Sequence, residues 1–349
     1  MKCFVDSGLS LPQRRVCQPR WLACLAAKAN ISIFEMVQLG YAPSLALRLV
    51  RWRGLGTAGA IWLWLGSMAM LLAASPAQAL QVTDDRGVSI SFAQPPQRIV
   101  SLLPSLTESV CELGQCARLV GVDRYSNYPD SVKKLPQVGG GLDPNIEAVV
   151  ALKPDLVLLA SSSRAGLRLE SLGIKVLVLE PKTHADVQRV LLKLGQVLGV
   201  ADAQAIWRNI DAATKAAAQS LPKGLAATRV YFEVNPGPYG AGEQSFIGET
   251  LTRLGVKNII PAALGPFPKL NPEYVVRANP DLIMIGQRSA DSMAQRPGWQ
   301  TMRALREQRL CVFSNDQSDV LVRPGPRMAE GARLMAQCLA DKAGAVVKP

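Results

Sequence analysis

One pattern occurs twice in the chain, as Glu147-Ala-Val-Val-Ala-Leu-Lys-Pro-Asp-Leu-Val-Leu-Leu159 and as Glu273-Tyr-Val-Val-Arg-Ala-Asn-Pro-Asp-Leu-Ile-Met-Ile285. In each copy, a run with helical spacing ends at a Pro-Asp pair, and an apolar run of strand length follows. The copies lie 126 residues apart without a gap. That distance is too long for a solenoid repeat and is typical of two lobes of similar build. The alternative is a common helix-to-strand connection that recurs by chance.

Strands and helices alternate on both sides of a helical segment. A short hairpin is predicted over 81–92. The first half then predicts strands at 98–103, 119–122, 155–160 and 175–179, with helices at 105–113, 144–152 and 165–172. The second half predicts strands at 229–234, 258–260, 281–286 and 310–313, with helices at 246–254, 272–278, 299–305 and about 325–341. This alternation predicts an α/β fold with mainly parallel sheets covered by helices.

The composition and the patterns divide the chain into four segments. These are a leader (1–79), an N-terminal α/β lobe (80–183), a connecting helical segment (184–222) and a C-terminal α/β lobe (223–349). The connecting segment has helical periodicity and no strand signal, so it is predicted to be a helical connection and not a flexible linker.

The leader has the parts of a secretion signal. Basic residues precede an apolar run at 60–74, and the run ends in Ser75-Pro-Ala-Gln-Ala79, which predicts an export signal within 36–79 with cleavage after Ala79. The predicted location is therefore periplasmic. The alternative is an uncleaved anchor formed by 54–79, since this uncharged run is long enough to span a bilayer.

About half of the positive net charge of the chain belongs to the leader. The formal net charge is +12 for the whole sequence and about +6 after Ala79. A charge of this size, with no basic cluster interleaved with aromatic residues, argues against nucleic acid as a partner.

Signals for enzymatic chemistry are absent from the sequence. There is no Gly-x-Ser-x-Gly elbow and no phosphate-binding loop. The chain has one histidine, His184, which excludes a metal site built on several histidines and is predicted to cap a helix or face solvent. We predict no enzymatic activity, no resident metal and no cofactor.

Four cysteines follow the leader, which suits an oxidising compartment. Cys111 and Cys116 flank a predicted helix end, whereas Cys311 begins the last strand and Cys338 lies on the last helix. The bridges Cys111–Cys116 and Cys311–Cys338 are the simplest of the three pairings. In the chain-entropy model the first contributes about 2 kcal/mol and the second about 3.5 kcal/mol.

Aromatic residues lie in predicted loops that follow strands, among them Tyr125, Tyr239 and Phe267. Ligands of open α/β sheets bind outside the carboxyl ends of the strands, so facing rings there could hold a flat ligand. The alternative is that these rings pack the loops onto the sheets.

Four stretches resemble the cobalamin and iron-chelate substrate-binding proteins of bacterial ABC importers. They are Arg98-Ile-Val-Ser-Leu-Leu-Pro-Ser-Leu-Thr-Glu108, Leu119-Val-Gly-Val-Asp-Arg-Tyr-Ser-Asn-Tyr-Pro129, Ile146-Glu-Ala-Val-Val-Ala-Leu-Lys-Pro-Asp-Leu-Val157 and Leu172-Gly-Ile-Lys-Val176. The resemblance covers nearly all of 96–342. It implies two lobes joined by a rigid long helix and a binding protein that delivers a metal chelate, such as a cobalamin or another corrinoid, to membrane subunits.

The resemblance also implies roles for particular residues. Tyr125, Tyr239, Phe267, Asp316 and Arg323 would bind the ligand, and Glu147 and Glu273 would dock on the two membrane subunits of the transporter. The chain has Gly139-Gly-Gly141 where the cobalamin binder has a tryptophan, so a siderophore or haem ligand stays open. An exported enzyme using the same cleft is the alternative class. We predict a monomer.

Overall fold

The computed structural model of the chain describes residues 80–293 and 295–343. The predicted leader, with its secretion signal at 36–79 and the alternative anchor at 54–79, lies outside the described residues. No helix in the described part is long and apolar enough to cross a membrane.

The described strands are short, and most belong to two sheets. In chain order they are Leu80–Thr83 (β1), Ser89–Phe92 (β2), Ile99–Ser101 (β3), Leu119–Val122 (β4), Leu156–Leu159 (β5), Val176–Val178 (β6), Arg229–Asn235 (β7), Tyr239–Gly240 (β8), Lys257–Asn258 (β9), Leu282–Gly286 (β10) and Leu310–Phe313 (β11). We refer to β1–β6 with their helices as the N-lobe and to β7–β11 with theirs as the C-lobe.

The helices alternate with the strands in both lobes. They are Pro104–Glu112 (α1), Ile146–Ala151 (α2), Gly166–Ser171 (α3), His184–Leu198 (α4), Ala203–Gln219 (α5), Phe246–Arg253 (α6), Pro272–Ala278 (α7), Gln287–Met293 (α8), Arg303–Arg306 (α9), Asn315–Val322 (α10) and Met328–Ala343 (α11). Short 3-10 helices occupy Cys116–Arg118, Asp130–Lys134, Leu225–Ala227, Ala262–Leu264 and Trp299–Thr301.

Both lobes contain four parallel strands in the same spatial order. The N-lobe sheet runs β4-β3-β5-β6, and the C-lobe strands run β9-β7-β10-β11. In the C-lobe, β8 adds an antiparallel pairing to β7, and β1 and β2 form a separate antiparallel hairpin before the N-lobe sheet. The predicted α/β class with mainly parallel sheets is confirmed, as is the leading hairpin.

The Pro-Asp pairs of the two sequence repeats perform the same structural task. Asp155 accepts hydrogen bonds from the backbone N–H groups of Gln97 and Arg98, each at 2.9 Å, just before β3. Asp281 accepts the backbone N–H of Arg229 at 2.9 Å, where β7 begins. Asp155 precedes β5 and Asp281 precedes β10. Each carboxylate therefore joins the start of its own strand to the start of the neighbouring parallel strand, β3 in the N-lobe and β7 in the C-lobe.

The helix ends before these pairs are also equivalent. Lys153 and Asn279 have φ angles of 48° and 42°, in the left-handed region that ends a helix. The guanidinium of Arg98 donates to the Lys153 carbonyl at 3.1 Å, and that of Arg229 donates to the Ala278 carbonyl, so an arginine satisfies free carbonyl groups at each helix end. The repeat is thus one helix-to-strand unit built twice.

The connection between the lobes is helical, but the prediction of one long helix is wrong. It consists of α4 and α5, which pack against each other. Gly199 ends α4 with φ 72°, and the side chain of Asp202 caps α5 by accepting the N–H of Ala205. A left-handed glycine followed by an N-cap aspartate stops one helix and begins another.

Helix α4 is shared by the cores of both lobes. Val187 and Leu191 belong to the C-lobe core, whereas Val190 and Leu194 belong to the N-lobe core. Adjacent stripes on one face of this amphipathic helix are therefore buried in different lobes. This arrangement ties the lobes together through packed side chains.

Two disulfide bonds cross-link the described part of the chain, and both pairings are the predicted ones. Cys111 is bonded to Cys116 across the turn after α1, and Cys311 on β11 is bonded to Cys338 on α11. The second bond holds the last helix on the edge strand of the C-lobe sheet.

Candidate ligand-binding cleft

Cavities lie at the carboxyl ends of the strands in both lobes. The N-lobe cavity, of about 220 Å³, is lined by residues that follow β3, β4 and β5, including Leu102, Tyr125, Leu142 and Ser162. The C-lobe cavity, of about 230 Å³, is lined by residues that follow β7, β10 and β11, including Asn235, Arg288, Asn315 and Asp319. This is the edge at which open α/β sheets bind ligands.

A third cavity lies on the seam between the lobes. It measures about 230 Å³ and is lined by Asn127, Tyr128, Asp130, Lys133, Asp316, Asp319 and Arg327. Its wall therefore combines the loop after β4 with α10 and the start of α11. We call this the seam cavity.

A larger cavity, of about 350 Å³, lies at the opposite end of the N-lobe sheet. Its carboxylate, Asp155, already holds the backbone before β3, and the ammonium group of Lys175 lies 5.0 Å from the centre of the Phe92 ring. Its polar groups are thus engaged in holding the fold, and we do not assign the site there.

The glycine run Gly139-Gly-Gly141 lies against the backbone just after β3. Gly139 has φ 99°, and a Cβ atom on Gly141 would lie only 2.5 Å from the Leu102 carbonyl oxygen. No side chain can occupy position 141 without moving the backbone. The next residue, Leu142, is 65% exposed and lines the N-lobe cavity, so it supplies the apolar surface there.

The aromatic residues predicted to bind ligand are not gathered in one cavity. Tyr125 lines the N-lobe cavity with its side chain 60% exposed. Tyr239 lies on β8 with the Lys269 ammonium group 5.9 Å from its ring centre, and Phe267 packs 6.1 Å from the Phe246 ring. Neither Tyr239 nor Phe267 lines any of the three cleft cavities, and their ligand role stays a prediction.

The two charged residues predicted to bind ligand lie at the seam. Asp316 lines the seam cavity. Arg323 is only 8% exposed, and its guanidinium contacts protein acceptors from both lobes. The ligand role of both residues also stays a prediction.

A buried carboxylate and two arginines join the lobes at the seam. Glu108 on α1 is 3% exposed and accepts a hydrogen bond from Arg323 Nη1 at 2.9 Å. It also accepts two from Arg327, at 3.0 Å from Nε and 2.6 Å from Nη2. A buried carboxylate is costly unless it is paired and hydrogen-bonded, so Glu108 depends on both C-lobe arginines.

The turn that carries Tyr125 is held by a buried carboxylate of its own lobe. Asp123 accepts the Tyr125 backbone N–H at 2.8 Å and the Ser126 hydroxyl at 2.5 Å. The hydroxyl of Thr107 lies 2.9 Å from that of Ser126 and donates to Ser101 at 2.9 Å. Burial raises the pKa of Asp123, and these hydrogen bonds, which stabilise the charged carboxylate, oppose the rise.

The structure adds residues that the sequence analysis did not identify. Glu108, Arg327, Asn127 and Asp319 meet at the seam, although they come from distant parts of the chain. Arg288 is exposed in the C-lobe cavity and has no ion pair or hydrogen bond among the described residues. Its place after β10 matches that of Ser162 after β5 by the repeat offset, a signal that was available in the sequence.

Glu147 and Glu273 occupy equivalent exposed positions in the first turns of α2 and α7. The caps of these helices are other residues, because Asn145 accepts the Ala148 N–H at 2.9 Å and Asn271 accepts the Glu273 N–H at 3.0 Å. Neither glutamate side chain has a hydrogen-bond or ion-pair partner in the described part of the chain. Their carboxylates are thus available at the surface of both lobes.

Two α/β lobes with cavities at equivalent strand ends define a two-lobed binding protein. Residues 99–316 match the family described as periplasmic binding protein, and the chain belongs to that family.

Individual relatives agree with this assignment. The chain is 30% identical over 275 residues to the uncharacterized ABC transporter substrate-binding lipoprotein YvrC of Bacillus subtilis, covering 74% of this chain and 84% of that one. It is 27% identical over 245 residues to a vitamin B12-binding protein of Vibrio vulnificus, covering 67% and 87%. A periplasmic heme-binding protein from Pseudomonas aeruginosa has a similar structure, with a TM-score of 0.60, 28% identity and coverage of 70% and 93%.

Proposed function

We propose that this protein is an exported, periplasmic solute-binding protein that captures a metal chelate between its lobes and delivers it to an ABC importer. The observation that carries the proposal is the pair of cavities at the carboxyl ends of equivalent sheets in a chain of the periplasmic binding protein family. We further propose that it acts as a monomer and has no enzymatic activity.

A cobalamin or another corrinoid is the first candidate ligand, and the relatives named for vitamin B12 support it. A haem or a siderophore is the second, and one feature of the cleft favours it. The unpaired cation of Arg288 lies in the C-lobe cavity, where it suits a chelate that carries carboxylates. The phenol of Tyr125 in the N-lobe cavity could also ligate iron.

A direct titration tests the proposal. Purified protein is titrated with cyanocobalamin, haemin and ferric siderophores, and absorbance, melting temperature and the recovered ligand are followed. We expect one of these classes to shift the spectrum, raise the melting temperature and be recovered intact. Chemical conversion of the ligand would indicate an enzyme, and no binding of any of the three would contradict the proposal.

We propose that Tyr125 contributes to binding through the buried area of its ring. Tyr125→Ala should weaken binding by about 1–3 kcal/mol, or about 5- to 150-fold in Kd. Its melting temperature should barely change, because the ring is exposed in the ligand-free protein. Tyr125→Phe keeps the ring and is the matched control, with a small effect unless the hydroxyl contacts the ligand. An unchanged Kd in the alanine variant would place the ligand elsewhere.

A further inference from the structure

Arg323 is surrounded by protein acceptors. Its Nη1 donates to Glu108 at 2.9 Å and to the Asn127 side-chain oxygen at 2.7 Å. Its Nη2 donates to the Tyr125 carbonyl at 3.0 Å and lies 2.8 Å from Asp319. Four acceptors therefore match the four N–H bonds of its two terminal nitrogens.

Three of these groups belong to the N-lobe, although Arg323 itself follows α10 of the C-lobe. Two of the four acceptors are also bonded to each other, since the side-chain amide of Asn127 donates to Asp319 at 2.8 Å. The backbone of Tyr125 is held on both sides. Asp123 holds the Tyr125 N–H from within the N-lobe, and Arg323 holds the Tyr125 carbonyl from the C-lobe.

The Tyr125 ring is the exposed part of this residue, with the guanidinium of the neighbouring Arg124 5.9 Å from the ring centre. Its backbone is held on both sides, whereas its side chain projects into the N-lobe cavity. The direction of the ring then depends on a guanidinium of the other lobe. The two terminal nitrogens of a guanidinium hold four acceptors in a fixed plane, whereas a lysine ammonium has three N–H bonds on one nitrogen and cannot reproduce that geometry.

We propose that Arg323 is a positioning residue: it orients the Tyr125 loop across the seam and sets ligand affinity without touching the ligand. This inference rests on the proposed binding function. It departs from the ligand-contacting role that the family resemblance implies for Arg323, because its terminal nitrogens are engaged and its side chain is buried.

The first test compares Arg323→Lys with Arg296→Lys. Each substitution keeps the charge and weakens the hold of an arginine on a buried carboxylate, Glu108 for Arg323 and Glu233 for Arg296. Arg296 lines none of the three cleft cavities, and its hydrogen bonds among the described residues go to Glu233 and Ser292, outside the loop 123–128. With cyanocobalamin and haemin as probes, Arg323→Lys should raise Kd about tenfold or more. Arg296→Lys should also lower the melting temperature but leave Kd within about twofold. Equal Kd values for the two variants would overturn the proposal.

A double-mutant cycle separates positioning from direct contact. If Arg323 acts through Tyr125, the effect of Arg323→Lys on Kd should disappear in a Tyr125→Ala background. If Arg323 touches the ligand itself, the two effects should instead add, which would contradict the inference.

Hydrogen exchange provides a readout that needs no ligand. Backbone exchange in 123–128 should be faster in Arg323→Lys than in the wild type, and nearly unchanged in Arg296→Lys. If the wild type bound neither these two probes nor a ferric siderophore, the proposed function would fail, while this measurement would still decide the positioning role. Unchanged exchange in Arg323→Lys would overturn the positioning role alone.

Discussion

Replacing Glu147 and Glu273 together by alanine is expected to reduce chelate uptake strongly while leaving chelate affinity unchanged. We propose that one exposed carboxylate on each lobe docks against basic residues of the two membrane subunits. Charges at the rim of an interface mainly set orientation and association rate, and salt screens them. The double variant should therefore reduce uptake about tenfold or more, with smaller losses in each single variant.

The chain offers a matched control for helix stability. Asn145→Ala and Asn271→Ala remove the caps of α2 and α7, and each should cost about 0.5–2 kcal/mol without a change of charge. If the glutamates acted only by stabilising these helices, the asparagine variants would impair uptake at least as strongly. Uptake, chelate affinity and melting temperature are measured on all variants. Full uptake by the double glutamate variant would rule docking out.

Sequence reasoning predicted the parts of the fold in which local and global signals coincide. The helix, the Pro-Asp pair and the apolar strand of each repeat are specified by neighbouring residues, so their positions follow from spacing alone. The break between α4 and α5 is also specified by neighbouring residues. Gly199 and Asp202 are the standard signals for a helix end and a helix start, and the prediction of a single long helix overlooked them.

Two helices beside the cleft have weak local signals. Gln287–Met293 and Asn315–Val322 are short and mostly polar, and the sequence analysis assigned no helix to either. Their stability comes from a few buried side chains, such as Met293 and Leu321, that pack on the C-lobe. The predicted helix at 299–305 is instead divided into a 3-10 helix and α9.

The seam could not be predicted from local patterns. Glu108 and Arg323 are 215 residues apart in the sequence, and only the packing of the lobes brings them together. From the sequence alone, Glu108 resembles an exposed helix residue, and Arg323 resembles an unpaired cation. Such a pairing is a property of the tertiary structure.

The sole histidine of the chain also differs from its prediction. His184 was expected to cap a helix or face solvent, but Thr183 caps α4 and the His184 side chain is 4% exposed. Its Nε2 lies 2.8 Å from the Thr250 hydroxyl and 3.1 Å from the Phe246 carbonyl. Its Nδ1 is buried with no hydrogen-bond partner among the described residues. A second proton would place an unpaired N–H in the core.

Burial lowers the pKa of His184 from 6.5 to about 4, with a smaller effect from the positive charge of Arg253. In the unfolded chain the imidazole binds a proton below about pH 6.5, whereas in the folded protein it stays neutral down to about pH 4. The unfolded state therefore binds more protons in this window, and the free energy of unfolding decreases as the pH falls. The loss should be about 2 kcal/mol by pH 5 and about 3 kcal/mol at its limit.

Urea unfolding of the wild type and of His184→Gln between pH 7.5 and pH 4.5 measures this effect. Glutamine can keep a donor toward Thr250 but does not titrate, so the stability of the variant relative to the wild type should increase by about 2 kcal/mol from pH 7.5 to pH 5. Carboxylates titrate in both proteins and cancel in this difference. Because the chain has one histidine, its NMR signal is unambiguous and should show no protonation down to about pH 5. Titration near pH 6.5 in the folded protein would show that the imidazole is solvated.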